Sequence, residues 1–294
     1  VIQLIAILLL GLVLILGSTF IFYRWGWKST LFFLIPVVAV ILLSPPPFDE
    51  LHPLLLSLFI VGITAGYTFR EKKSLQFFIL ISTFIITFLF AGNYYYLKAY
   101  KNTDILDKSK ESIVAIVNAS NIQKSEQEAF LERLDDSLEI VRDIIPFAYF
   151  INSLFFSIIS FFLIRLFMKQ YIPGQEKSPG LEFFQLHDYF IYALILGWLA
   201  VLLVDKSEYA IIYITGLNIA LIFSILYLIQ SLGIVKYFLI QKGLPLFIIP
   251  VTLITILFLG LKVTLFISII LSSVGAIDFW ADFRKLGSVY NKST

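Results

Sequence analysis

Cysteine is absent from this 294-residue chain, which excludes disulfides, thiolate chemistry and sulfur-ligated metals. Histidine occurs twice and never as H-E-x-x-H, so a zinc hydrolase has no ligand set to draw on. The strings Gly174-Gln175-Glu176-Lys177-Ser178 and Gly260-Leu261-Lys262-Val263-Thr264 lack the spacing of a phosphate-binding loop, and no G-x-S-x-G elbow occurs. Charge is scarce, at 14% of residues against about 25% in soluble domains. Basic residues come in twos and threes and form no continuous stripe, which excludes a nucleic-acid surface. The expectation is a chain that is not an enzyme and that holds neither a metal nor a cofactor.

What the chain has is apolar length. It is 59% hydrophobic, with a mean hydropathy of +0.92, and its charge is confined to islands between long apolar runs. Arg24/Lys28, Arg70/Lys72/Lys73, Arg165/Lys169/Lys177, Lys236/Lys242 and Arg284/Lys285/Lys292 hold 13 of the 22 basic residues. The intervening connections hold Asp49/Glu50, an acidic-leaning block, Asp205/Glu208 and little else. Lys and Arg accumulate in the short cytoplasmic loops of membrane proteins. The pattern predicts an all-α, polytopic membrane helical bundle of about nine transmembrane helices, given the roughly 20 apolar residues that a span needs.

The expected spans are 1–22, 29–43, 53–69, 74–97, 144–167, 189–204, 209–239, 246–260 and 263–279. The first lacks a basic leader and an A-x-A-like site, so it is expected to be a retained helix. The second contains Pro36 and stops at Pro45-Pro46-Pro47. The last two are one apolar stretch of roughly 54 Å if helical, too long for a core of about 30 Å, so a turn is expected at Gly260-Leu261-Lys262. Nine spans bring every basic island to one side, with only Lys206 and Lys262 in the short loops opposite; eight spans break that pattern. The N-terminus is then outside and the C-terminus cytoplasmic. Three regions follow: residues 1–97 with spans one to four, 98–143 outside, and 144–294 with spans five to nine.

The outer region reads as a helical hairpin. Ser125-Glu126-Gln127-Glu128 is a capping box. Phe130, Leu134, Leu138, Val141 and Ile145 recur at helical spacing, and Ile113, Ile116 and Val117 of a first amphipathic segment, 105–117, are available to pack against them. The hairpin is either a docking arm or lid, or a solvated extension packed on itself.

Polar residues within spans are costly without partners and are the natural site candidates. Asn93 and Tyr95 lie in Asn93-Tyr94-Tyr95-Tyr96, read either as an interfacial aromatic belt or as a binding platform. Asn152 falls in span five and Asn218 in span seven, the latter read equally as an interhelical bond or a ligand contact. Gly62-x-x-x-Gly66 offers a close-packing surface. In the terminal string, Asp278 and Asp282 share a helix face as like charges, which calls for a cation such as Arg165 or Lys236 between them. Asp278, Asp282 and Arg284 are therefore candidates for a cytoplasmic anchor or a coupling site.

Several of these strings carry a resemblance. Pro179-Gly180-Leu181-Glu182-Phe183-Phe184-Gln185-Leu186-His187-Asp188, Asn218, Gln230-Ser231-Leu232-Gly233 with Phe238, and Gly275 with Asp278-Phe279-Trp280-Ala281-Asp282-Phe283-Arg284 resemble the YybS-like family of bacterial membrane proteins, over residues 175–285. That family is similar to the substrate-binding subunits of energy-coupling-factor transporters. The resemblance implies a helical bundle of the bacterial inner membrane that binds a small solute, has no ATPase of its own and relies on a partner membrane protein. Asn93, Tyr95, Asn152 and Asn218 would line the solute site. The alternative is a scaffold or accessory subunit that docks a partner through its outer hairpin. The lipid bilayer is a partner in either case, and nucleic acid in neither.

Overall fold

The computed structural model describes residues 2–43, 52–100, 104–120, 124–168, 170–171 and 180–284. Among them are eleven α-helices and no strand. Five helices are long and apolar enough to cross a bilayer: Pro53–Arg70, Leu75–Tyr100, Ile145–Met168, Ala210–Gln241 and Leu261–Ala281. Leu10–Trp25, Phe190–Leu203 and Ile248–Phe258 are apolar but shorter. The chain divides into two compact units, Val1–Ser178 and Pro179–Thr294.

In the first unit, α1 (Ile2–Trp25) and α3 (His52–Arg70) run side by side in the same direction. Gly11 meets Leu58, Gly62 meets Ile15 and Ser18, and Gly66 meets Thr19 and Phe22. A Cβ at Gly62 would overlap the Ser18 hydroxyl, so the small-x-x-x-small pair does bring two helices into backbone contact. Helix α2 (Trp27–Leu43) starts beyond Gly26, whose φ of 78° turns the chain back. The triproline stop expected after α2 lies outside the described residues. Helix α4 (Leu75–Tyr100) opposes α3 across a tight turn, and α7 (Ile145–Met168) opposes α4, with Phe78 on Phe161 and Phe90 on Tyr149. Leu14, Leu58, Phe59, Phe78, Ile86 and Phe161 sit in the core of this unit.

Between α4 and α7 lie α5 (Ile105–Ala119) and α6 (Lys124–Asp143). Asp104 caps α5 by accepting from the Leu106 amide. Lys110–Asp135 and Arg142–Asp107 ion pairs run between the two helices in antiparallel register. Lys98 and Arg142 both approach Asp104, at 3.1 and 3.7 Å, and the Tyr94 hydroxyl donates to it at 3.3 Å. Burial raises the Asp104 carboxyl, but the Leu106 amide, Lys98 and Arg142 outweigh it and hold the group below the usual carboxylate range. Three details differ from expectation. Phe130 and Val141 of the expected stripe are exposed, at 47% and 38%. Ile116 points outward, at 71% exposed, because the face toward α6 is centred on Ile113, Val114 and the buried Val117. Helix α6 opens at Lys124, ahead of the capping-box serine, and the side chain of Ser125 is outside the described residues.

In the second unit a 3-10 turn (Leu181–Phe183) precedes α8 (Phe190–Leu203), which opposes α9 (Ala210–Gln241). Gly197 lies against Ala220 and Gly216 against Ala200, so this pair also approaches through glycine. Helix α11 (Leu261–Ala281) runs parallel to α9, as Ser272 donates to the Ser224 carbonyl at 2.7 Å and Gly275 abuts Tyr227. The chain therefore travels back between them through α10 (Ile248–Phe258). The expected break is present: α10 ends at Phe258, Gly260 takes a φ of 95°, and Thr264 donates to the Ile256 carbonyl.

Candidate functional site

The second unit buries a polar cluster that its own helix ends assemble. Helix α11 stops at Asp282, which adopts a left-handed conformation (φ 39°, ψ 55°) and donates its amide to the Asp278 carbonyl. That turn folds the chain back on the helix it has just left. The Phe283 amide then reaches Asp278 Oδ1 at 3.0 Å, and Arg284 Nη2 reaches Asp278 Oδ2 at 2.7 Å. The second arginine nitrogen, Nη1, donates to the carbonyls of Phe184 at 2.8 Å and Glu182 at 3.0 Å. One guanidinium thus ties the end of α11 to the segment leading into α8, in the planar fork geometry that a lysine does not offer.

Gln230, in α9, completes the cluster. Its Nε2 donates to Asp278 Oδ2 at 3.0 Å and to the Gly275 carbonyl at 3.2 Å, and its Oε1 accepts from the Leu186 amide at 2.9 Å. Gly233, a turn further on, leaves room for the Leu181 carbonyl, which a Cβ there would overlap. Lys236 pairs with Glu182 at 2.6 Å on the rim. Exposure falls to 2% at Asp278 and Gln230 and 1% at Arg284. Arg284 Nε and Ser231 Oγ are buried without a hydrogen-bond partner among the described residues. A charge pair so placed is costly to desolvate, and the hydrogen bonds with Phe283, Gln230 and the two carbonyls offset that cost.

Of the residues singled out from sequence, Asp278 and Arg284 meet here. The cation on Asp278 is Arg284 itself, six residues on, and not the expected Arg165 or Lys236; the left-handed turn makes the local partner reachable, and Lys236 is engaged by Glu182. Asp282 does not join the pair but forms the turn that permits it. Gln230 and Glu182 complete the cluster. A polar side chain in a long apolar helix was the available signal for Gln230.

Three of the four solute candidates fall in the first unit and one in the second. Asn93 is half-buried on α4, Tyr95 is 51% exposed beside the buried Tyr94, and Asn152 is exposed on α7. Asn218 is buried in the other unit and donates to the Ile214 carbonyl of its own helix at 2.8 Å. No group of three or more His, Cys, Asp or Glu gathers among the described residues.

Residues 1–279 match the family described as Predicted membrane protein (DUF2232). The chain belongs to that family, and the match reaches well N-terminal of the strings that carry the sequence resemblance. No curated protein and no solved structure matches it.

Proposed function

We propose that this member of the predicted-membrane-protein family is a non-catalytic transporter-type subunit whose cytoplasmic end is latched by the Gln230–Asp278–Arg284 cluster. Nine crossings of a bacterial inner membrane are the topology we assign. The pair directions support them: α1 parallel to α3 and α9 parallel to α11 each require an intervening return, made by α2 and by α10. Helix α10 alone offers only about 16 Å, so its flanking loops must share that crossing.

The observation that carries the latch is an ion pair at 2% exposure or less within an apolar helical unit. Ionisable groups at such positions mark pathways and gates, and a hydrophobic filling would be as stable. The solute reading draws further on the likeness to energy-coupling-factor subunits; Asn93 with its aromatic neighbours is its best remaining contact. The accessory-subunit reading is favoured by a different observation: Ile116 and Ile140 on α5 and α6 are 71% and 63% exposed, on what would be the outer face.

The absence of cysteine makes a thiol test straightforward. Ser231→Cys places a reporter within the latch, and Ser157→Cys places a buried control in the first unit. Asp278→Asn is expected to speed maleimide labelling of residue 231 about tenfold or more while residue 157 stays protected, because opening costs less once the charge pair is gone. Unchanged labelling at 231 would reject the latch and leave the accessory-subunit reading in its place.

A further inference from the structure

At one end of the first unit, α1, α3 and α7 finish and α2 and α4 begin. Arg70 Nη1 reaches the Phe22 carbonyl at 3.4 Å, Phe20 meets Tyr171, and Tyr67 meets Phe77, so these termini share one surface. Arg24, Lys28, Arg70, Lys72, Lys73 and Arg165 all lie there. The only carboxylate among the described residues at this end is Glu71, 4.0 Å from Arg70. The other five cations have no carboxylate partner among the described residues.

We infer that this end binds the headgroups of anionic phospholipids through Lys28, Lys72, Lys73 and Arg165, with exposed apolar side chains one helical turn from Lys28 and from Arg165. The juxtaposition is what selects a lipid. Lys28 stands one helical turn from Leu31 and Phe32 on the same face of α2, and Phe32 is 76% exposed. Arg165 stands one helical turn from Phe162 on the same face of α7, and Phe162 is 64% exposed. A free phosphate would use the cations and leave the apolar surface bare; a nucleic acid would want the cations without it. An acyl chain below a phosphate uses both. Trp25 and Trp27, each about three-fifths exposed, supply the amphipathic rings that settle at headgroup depth. Clustered cations beside a membrane helix contribute about 1 kcal/mol each toward an anionic surface, an attraction that salt screens. The inference is independent of the latch.

The test uses the full chain in nanodiscs of phosphatidylcholine containing a minor fraction of phosphatidylglycerol. Trp198→Phe and Trp280→Phe leave Trp25 and Trp27 as the reporters. Bromine on the acyl chains of either lipid quenches a tryptophan in contact with it. Brominated phosphatidylglycerol is expected to quench as though enriched about fivefold over the bulk, and molar salt should erase the difference. Lys28→Gln/Lys72→Gln/Lys73→Gln should remove the enrichment, whereas the matching Lys→Arg triple keeps it and guards against misfolding. Equal quenching by the two lipids, or a preference that survives in the glutamine variant, would overturn the inference. So would loss of the preference on adding soluble glycerol phosphate, which would assign the cations to a free anion.

Discussion

Replacing Arg284 by Ala should destabilise the second unit by about 3–5 kcal/mol, since it leaves the Asp278 carboxylate buried with no counter-charge. The loss has a second part: the carbonyls of Glu182 and Phe184 also forfeit their shared donor. Asp278→Ala should cost a similar amount by stranding the guanidinium, which already carries one unpartnered nitrogen. The double variant Asp278→Asn/Arg284→Gln should recover most of the loss, because no net charge then remains to desolvate. Thermal unfolding in detergent, followed by tryptophan fluorescence, reads the cycle closed with the matching singles Asp278→Asn and Arg284→Gln: each single falls by about 10 °C and the double by much less. If the double falls as far as both singles combined, the residues act separately and there is no coupled pair. Arg284→Lys belongs with the damaging variants, as an ammonium cannot serve a carboxylate and two carbonyls in one plane.

Gly275→Leu should abolish the folded second unit. A Cβ at Gly275 already overlaps the Tyr227 carbonyl oxygen, and that atom belongs to the backbone of α9, so no rotamer change relieves it. The helices would have to separate, which also pulls Asp278 away from Gln230. Overpacking of this kind costs about 1–3 kcal/mol for a few methylenes and more where backbone must move. Gly92→Ala is the matched control, since nothing lies within 4 Å of its Cβ position; it should be neutral or stabilise by about 0.5–1 kcal/mol. Comparing monodisperse yields in detergent distinguishes the two. Equal yields for Gly275→Leu and Gly92→Ala would refute the α9–α11 crossing.

The helices were legible because apolar runs and their polar punctuation are properties of the chain alone. Expected and observed bounds of α3 and α7 differ by a residue or so at each end. The close approach at Gly62 and Gly66 was legible too, though the partner helix was not: spacing identifies a surface and says nothing of what covers it. The cluster was half legible. Asp278 and Arg284 stood out as charges at the margin of an apolar run, but helical geometry set Asp278 against Asp282. Only a non-glycine residue at positive φ, uncommon even for Asp, turns Arg284 back onto Asp278. The carbonyls of Glu182 and Phe184 were invisible for another reason, because any residue has one. Asn93, Tyr95, Asn152 and Asn218 were grouped by polarity, and polarity does not fix direction: Asn218 spends a donor on its own helix. The sequence regions 1–97, 98–143 and 144–294 follow polarity, whereas the compact units part near residue 178 because α7 packs on α4.

The proposed alternation of crossings, from which the cytoplasmic position proposed for the cluster follows, is open to direct measurement. Single cysteines at Ser112 in α5, Ser207 between α8 and α9, Lys72 between α3 and α4, and Lys242 after α9 sample four connections in a chain with no thiol of its own. Nine crossings with the N-terminus outside require a membrane-impermeant maleimide, given access to the outer face of the inner membrane, to label residues 112 and 207. Residues 72 and 242 should react only after the membrane is opened. Labelling of 207 together with 72, or of 242 together with 112, would contradict the arrangement and remove the cluster from the cytoplasmic face.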